Sequence, residues 1–285
     1  MIIIVVLMAF LTMSFYVIDS YQSSISTNNY VQSVYGKVQA LYIADAGFNL
    51  AKYILDNDDQ SVDSLQDKWT LPFNYSQNSS IKVSISIYDE NRYINLNLAG
   101  DPGYGKIVDN LFKNLMISPE KERNLLVWIG RQEGTFQTGY PVKKAPMDSL
   151  YELILIGFKD EDLNGKLLGK DFYPGLIGIS TVYTNGKINI NTAPLWVLKS
   201  LDERIDDNLA QKIIEKRSKE PFKQAKDLVL VDGFTFDMLY KIQNYIDVKS
   251  DIFHIVVNVG VGSTELKVDY VYDRAEKRII YKEIL

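Results

Sequence analysis

The first eighteen residues constrain this chain more than any other feature, because they form one uncharged apolar run. No charged residue occurs between Met1 and Ile18, and Asp19 is the first charge. A run of about 18 apolar residues is just long enough to cross the hydrocarbon core of a bilayer as a helix. A cleaved secretory signal should begin with a basic residue, but the first cation here is Lys37. A buried core helix would need a polar face or a large protein around it. The run therefore predicts a membrane anchor at residues 1–18.

A helical pattern continues beyond this run. Apolar residues recur at spacings of three and four, which is the repeat of one face of an α-helix. They are Val31, Val34, Tyr35, Val38, Leu41, Tyr42, Phe48, Ala51, Ile54 and Leu55. The Asp and Asn residues at 56–59 favour a local turn and end the pattern. A helix of about 55 residues would be roughly 80 Å long, so we expect its first third in lipid and its last third against a head domain.

Two runs of alternating apolar and polar residues follow the helix. Residues 81–87 alternate strictly, as a half-buried strand does, and residues 93–98 alternate again after a short acidic turn. This pattern predicts a β-hairpin over 81–98.

The rest of the chain changes from helical to strand patterns. Amphipathic helices are predicted within 107–129 and 193–245, and a second hairpin at 179–191 around Asn185-Gly186. Three alternating runs between 253 and 283 end the sequence. The order predicts an α+β fold, in which one sheet packs on the N-terminal helix and a helical block is inserted between its strands.

The residue types offer little to a catalytic or metal site. The chain has one histidine, His254, and no cysteine. A Ser-His-Asp triad needs a histidine as base, and a zinc site needs several His or Cys ligands. No phosphate-binding glycine motif follows a predicted strand. We therefore predict a protein that is not an enzyme and that carries no cofactor.

One segment, 188–245, resembles the helix-hairpin-helix repeat of competence-type DNA receptors. In those modules a glycine turn lets backbone N–H groups meet a phosphate. The equivalent turn at 201–205 has no glycine and contains Asp202 and Glu203, which repel phosphate. The net charge of −5 also offers nucleic acid no basic footprint. We expect no nucleic-acid partner, and a membrane-tethered DNA-binding protein of a competence or type IV pilus-like system is the alternative function.

Four motifs together resemble the minor pseudopilin K family of type II secretion systems. The helix contains Ala44-Asp45-Ala46-Gly47, and the segment 87–97 resembles the family signature I-x-D-E-x-x-x-I-N-L-N. Lys144-Ala145-Pro146 resembles the family's middle segment. Ile188-Asn189-Ile190-Asn191-Thr192-Ala193-Pro194 is the most specific match, and it reads as a strand leading into a helix that Asn191 or Thr192 caps.

The resemblance implies a pseudopilin fold, in which a long N-terminal helix packs on an antiparallel sheet that carries a large inserted helical domain with helix-hairpin-helix or SAM-like subdomains. The implied parts are 1–18, the transmembrane part of the helix; 19–98, the periplasmic helix and first strands; 99–247, the insert; and 248–285, the C-terminal strands. It also implies an inner-membrane protein with one span, its head in the periplasm, and a role at the tip of the pseudopilus in the export of folded proteins.

The implied partners are the other minor pseudopilins, of the I and J types, and the inner-membrane secretion platform. The predicted interaction residues are Val5, Val31, Val34, Tyr35, Val38, Leu41 and Tyr42. Members of the family also carry an acidic calcium cluster. The matching segment 127–133 holds Arg131 and only one acid, Glu133, so no calcium is expected there.

The resemblance also implies a comparison with ordinary pilins and pseudopilins, which carry a glutamate at the fifth mature position. The negative charge of that glutamate neutralises the N-terminal ammonium of a neighbouring subunit. The fifth residue here is Val5, and no acid precedes Asp19. A subunit without that acid has nothing to offer a neighbour stacked above it, since an unpaired charge in apolar surroundings costs several kcal/mol. This predicts a subunit that caps the tip of the fibre.

Overall fold

A computed structural model describes residues 2–77, 80–135 and 141–285. Seven α-helices lie in these ranges: α1 Ile2–Asp56, α2 Gly105–Asn114, α3 Pro119–Trp128, α4 Asp160–Asn164, α5 Leu195–Leu201, α6 Asp207–Lys219 and α7 Phe236–Ile242. The strands are β1 Phe73–Gln77, β2 Ile81–Asp89, β3 Ile94–Asn95, β4 Gly165–Leu168, β5 Asp171–Pro174, β6 Ser180–Thr181, β7 Ile188–Asn189, β8 Ile246–Asp247, β9 Ile252–Val261, β10 Thr264–Asp273 and β11 Arg278–Ile284. Short 3₁₀ helices occupy Lys68–Thr70, Leu96–Leu98, Leu150–Ile156, Leu176–Gly178 and Ala225–Leu230.

The N-terminal helix is unbroken from Ile2 to Asp56, as its apolar periodicity predicts. It ends where the Asp and Asn cluster begins, and the Asn57 side chain donates a hydrogen bond back to the carbonyl of Tyr53. The predicted start at Met1 lies outside the described residues.

One antiparallel sheet in the described chain packs against this helix, with strand order β1-β2-β9-β10-β11. Alternate residues of its strands point at the helix, so Ile85 and Ile87 of β2 are buried beside Ile255 and Val257 of β9. The α+β prediction and the half-buried strand at 81–87 are thereby confirmed.

Small residues bring the helix close to the sheet. The helix buries Gly36, Ala40, Ala44, Gly47, Phe48, Ala51 and Leu55. Phe48 stacks on Tyr270 of β10, with ring centroids 4.7 Å apart. Gly47 is needed for the close approach, because a Cβ atom added there would lie 2.9 Å from Cγ1 of Val257. The prediction of a single apolar stripe is wrong: Phe48, Ala51 and Leu55 face the sheet, whereas the predicted stripe residues Val31, Val34, Tyr35, Val38 and Tyr42 are exposed on another face of the helix.

The close approach of α1 to β9 should make the protein sensitive to a larger side chain at position 47. Gly47→Val should lower the free energy of unfolding by about 1–3 kcal/mol, because an oversized side chain forces the helix away from β9. Ala46→Val is the matched control, since Ala46 is exposed one residue away and only the small helix-propensity cost applies. Urea unfolding monitored by circular dichroism measures both, and equal losses in the two variants would contradict the packing argument.

A second hydrophobic cluster lies outside the helix and sheet layer. Its buried members run from Ile94 to Val248, whereas the first cluster joins residues 40–87 to residues 253–272. The chain therefore leaves the sheet after β2, builds a separate core, and returns to the sheet at β9. The insertion of a helical block between sheet strands follows from this order.

Both predicted hairpins are wrong. β3 pairs in parallel with β6, and β7 pairs in parallel with β8. In the first case the Asn95 side chain accepts a hydrogen bond from the N–H of Asn97, so the chain turns into a 3₁₀ helix instead of extending. In the second, the Asn185 side chain accepts from the N–H of Lys187, and the N–H of Ile188 donates to the distant carbonyl of Tyr245.

Candidate assembly surface and junction

The predicted interaction residues form an exposed apolar surface on α1. Val34 is 42% exposed, Val38 46% and Tyr42 74%. Val31 and Tyr35 are also exposed, and Leu41 is half-buried. We call Val31, Val34, Tyr35, Val38 and Tyr42 the outer stripe. Most of this stripe points away from the sheet, so its apolar side chains remain partly exposed to solvent.

The first part of α1 is exposed as well. It is the one helix among the described residues that is long and apolar enough to cross a membrane, and none of its most apolar 18-residue window is buried. Val5 belongs to this window and is 62% exposed. Leaving so many apolar side chains in water is unfavourable by about 25 cal/mol per Å², so a lipid or protein environment is expected around them. Residues 2–18 contain no acid.

The motifs at 87–97 and 188–194 meet in a buried junction between the sheet and the insert. The Asn189 side chain, fully buried, donates to Oδ2 of Asp89 at 3.2 Å and to Oγ of Ser250 at 2.8 Å. Thr192 Oγ1 donates to the same Asp89 oxygen at 2.5 Å. Asp89 is the last residue of β2, so this carboxylate connects the sheet to the insert.

Asn91 continues the junction on the other side. Its Nδ2 donates to the carbonyl of Lys187, and its Oδ1 accepts from the N–H groups of Asp251 and Ile252. One side chain thus positions the segment before β7 and the start of β9. These motifs therefore act as a structural joint.

The predicted capping role of Asn191 or Thr192 is wrong. Asn191 Oδ1 accepts from the N–H of Phe222, and its Nδ2 donates to the Phe222 carbonyl. Pro194 is the residue before α5 and provides no side-chain cap. Sequence spacing suggested a local cap, but a side chain amide can satisfy a distant backbone segment equally well.

A buried ion pair closes the junction near the end of α1. Arg274 Nη2 lies 2.7 Å from Oδ2 of Asp63, and the two side chains are 3% and 0% exposed. The N–H of Ser250 donates to the same oxygen. Burial raises the pKa of Asp63, although the Arg274 hydrogen bond and charge oppose this effect. The sequence carried no signal for this pair, since 211 positions separate the two residues.

The acid at the centre of the junction makes stability depend on pH. Burial raises the pKa of Asp89 from 3.8 to about 6, while hydrogen bonds from Thr192 and Ser250 oppose the rise, Asp63 adds to it, and Arg92 lowers it. Between pH 4 and 6 the folded chain keeps a proton that the unfolded chain has lost. The free energy of unfolding should therefore fall as pH rises through this window, by up to about 3 kcal/mol, and then remain level for this group.

Asp89→Asn isolates this contribution because the variant has no proton to lose at that site. The difference in free energy of unfolding, wild type minus variant, should decrease from pH 4 to pH 7. Urea titrations at unit intervals of pH measure it. Parallel pH profiles for the two proteins would contradict a raised pKa at Asp89.

The helix-hairpin-helix-like turn offers no free cation to a phosphate. Its arginine, Arg204, makes two bonds to Asp202, from Nε to Oδ1 at 2.7 Å and from Nη2 to Oδ2 at 2.8 Å. Its third nitrogen contacts Asp237 at 2.7 Å. The turn therefore presents a neutralised arginine beside the exposed acid Glu203.

The segment matched to the family's calcium cluster shows no gathering of acids in its described part. Glu133 and Arg131 are exposed on the turn that follows α3. Glu152, in the 3₁₀ helix at 150–156, accepts from Nε1 of Trp128 at 2.8 Å and pairs with Lys143 at 2.8 Å.

Part of the junction lies in a segment that matches a known protein family. The family model for type II secretion system (T2SS) protein K matches residues 188–249, which include β7, β8 and the helices between them. The resemblance to the protein K family is confirmed. One chain of the crystal structure of the GspK-GspI-GspJ complex from the enterotoxigenic Escherichia coli type 2 secretion system is similar to this chain, with 15% identity and a TM-score of 0.70. The similarity covers 90% of this chain and 99% of the other. No match was found among curated proteins.

The protein K resemblance gives the motifs a physical meaning. Ala44 and Gly47 face the sheet, and Asp45 between them accepts from the hydroxyl of Tyr270 at 2.8 Å. The motif Ile188–Pro194 lies inside the matched segment and provides Asn189 and Thr192 to the junction. The fold prediction of a long helix on an antiparallel sheet is confirmed by the structural similarity.

Proposed function

We propose that this protein is a minor pseudopilin of a type II secretion system, without catalytic activity, that joins other minor pseudopilins through α1. The observation that carries the proposal is the outer stripe, an apolar surface on the helix that its own sheet leaves uncovered. Helices with such surfaces associate by packing side chains against one another. The proposed partners are pseudopilins of the I and J types, a choice suggested by the GspK-GspI-GspJ complex to which the fold is similar. The inner-membrane secretion platform is a further proposed partner, which the resemblance to the protein K family implies.

We propose further that residues 2–18 anchor the protein in the inner membrane and that the head lies in the periplasm. The apolar run and its exposure support the anchor. Fractionation of cells should find the full chain with the inner membrane. Protease added to spheroplasts should digest the head, whereas a head that is protected until the membrane is lysed would contradict the orientation.

The position within the fibre is the more specific part of the proposal. We infer a place at the tip, where the protein helps to initiate assembly of the pseudopilus. Residues 2–18 contain no glutamate to pair with a subunit above, and the insert makes the head bulky. Both features suit a subunit that occurs once in each fibre.

Two experiments test these parts separately. Co-expression of the full chain with tagged I-type and J-type pseudopilins should yield a complex that survives purification in detergent. Immunogold labelling should then mark one end of isolated fibres. Labelling along the whole length would reject the tip position but leave the partnership intact, whereas failure to co-purify would reject the partnership.

The proposed function involves no nucleic acid, no organic cofactor and no calcium at 127–133. The alternative, a membrane-tethered DNA-binding protein, predicts tight and salt-sensitive binding in a gel-shift assay at low ionic strength. Asp202 and its pairing with Arg204 favour the absence of such binding.

A further inference from the structure

Three carboxylates meet in the loop that follows α1. Asp58, Asp63 and Asp67 each place one ligand oxygen within 4.8 Å of the others. The loop lies outside both the segment 127–133 and the family match at 188–249. Acidic groups often gather at a surface, but one of these three is completely buried.

The buried member has an oxygen without a partner. Asp63 is 0% exposed, and its Oδ2 accepts from the N–H of Ser250 and from Arg274. Its Oδ1 has no hydrogen-bond partner among the described residues. Oδ2 of Asp58 is also buried, and no described residue donates a hydrogen bond to it. A buried carboxylate oxygen that no donor satisfies is costly, and in native proteins it usually indicates a water or an ion.

Charge points to an ion. Arg274 supplies one positive charge to three carboxylates, which leaves a formal charge of minus two. A divalent cation would neutralise the remaining charge and supply the missing partner to both free oxygens.

The ligand type selects the class of cation. All three side chains offer carboxylate oxygen, with no nitrogen or sulfur, and this favours hard ions over zinc or copper. Calcium accepts six to eight oxygens in irregular geometry, so it can combine three carboxylates with backbone carbonyls and water. We propose that Asp58, Asp63 and Asp67 form a calcium site that joins the end of α1 to the return of the chain at Ser250 and Arg274.

The position of Trp69 provides a direct assay. Its Nε1 donates to Oδ2 of Asp67 at 3.2 Å, so the indole lies beside the proposed ion. Terbium(III) replaces calcium at oxygen sites and emits when a nearby tryptophan transfers energy to it. Adding terbium to the full chain in detergent micelles should produce emission on excitation of tryptophan, and calcium in excess should remove it.

Substitutions assign the signal to these residues. Asp58→Asn and Asp67→Asn should each weaken binding by about tenfold or more, and circular dichroism checks that both variants fold. Asp59→Asn is the matched control, because it removes the same charge from the same loop but Asp59 is exposed and lies outside the trio. If Asp67→Asn does not fold, Asp58→Asn carries the comparison alone.

Thermal unfolding provides an independent readout. A ligand that binds only the folded state raises the melting temperature as its concentration exceeds Kd. Millimolar calcium, compared with a chelator, should raise the melting temperature of the wild type and of Asp59→Asn, but not that of Asp58→Asn. The proposal is overturned if calcium leaves the wild type unchanged, or if Asp58→Asn and Asp59→Asn respond alike to terbium and to calcium.

Discussion

Replacing Val34 and Val38 with aspartate should abolish co-purification with the I-type and J-type pseudopilins while leaving the head folded. Both side chains lie on the outer stripe, near its centre, and are about half exposed, at 42% and 46%. In a helix interface each aspartate would place an unpaired charge among apolar groups, which costs several kcal/mol. An affinity loss of at least about a hundredfold is expected, since 1.4 kcal/mol corresponds to a factor of ten.

The matched control adds the same two charges to the same part of the helix. Gln32→Asp with Ser33→Asp changes exposed polar positions of the same helical turns that lie off the outer stripe. This variant should co-purify with its partners as the wild type does. Circular dichroism and the urea midpoint should be unchanged in both variants, because none of the four side chains is buried. Equal binding by the two variants would place the partner surface elsewhere on the molecule.

Replacing Arg274 with methionine should cause a large loss of stability. The guanidinium pairs with Asp63 at 2.7 Å, donates to the carbonyl of Ser250, and lies 4.8 Å from the ring of Phe253. Methionine keeps much of the side-chain volume but leaves the Asp63 charge buried without its partner. Removing one partner of a buried ion pair costs about 3–5 kcal/mol. The melting temperature should fall by about 10 °C.

A surface pair serves as the comparison. Lys282 lies 2.8 Å from Asp45, but the two side chains are 35% and 52% exposed. Lys282→Met also removes a cation paired with an aspartate, and exposed pairs contribute at most about 1 kcal/mol. Thermal and urea unfolding of both variants measure the difference. If Arg274→Met loses no more stability than Lys282→Met, the buried ion pair between Asp63 and Arg274 does not stabilise the fold more than an exposed pair does.

Much of the fold could be predicted from periodicity. The uncharged run and the spacings of three and four predict α1 over nearly its whole length, because a helix requires only local backbone geometry and a compatible side-chain pattern. Strict alternation predicts β2, β9 and β10 for the same reason. The order of these patterns also predicts that the helical block separates β2 from the strands it joins.

Two kinds of feature could not be predicted from the sequence. Periodicity does not tell which face of α1 meets the sheet; the small residues Ala40, Ala44 and Gly47 decide it, because only they allow close approach. The pairing of two-residue strands such as β3 and β7 depends on partners 86 or 58 positions away, since so short a strand carries no alternation of its own.

The candidate sites divide in the same way. The residues of the outer stripe all belong to the predicted interaction set, because apolar side chains at helical spacing are visible in the sequence, but their separation from the sheet-facing residues is a property of the folded chain. The junction and the three-aspartate site were not predicted. Asp63, Asp89 and Arg274 read as ordinary polar residues until the tertiary structure buries them together, where the loss of solvent makes each unpaired charge costly. The sequence by itself thus determined the N-terminal helix, the long strands β2, β9 and β10 and their order along the chain. The tertiary structure alone decided how the short strands pair and which polar groups meet.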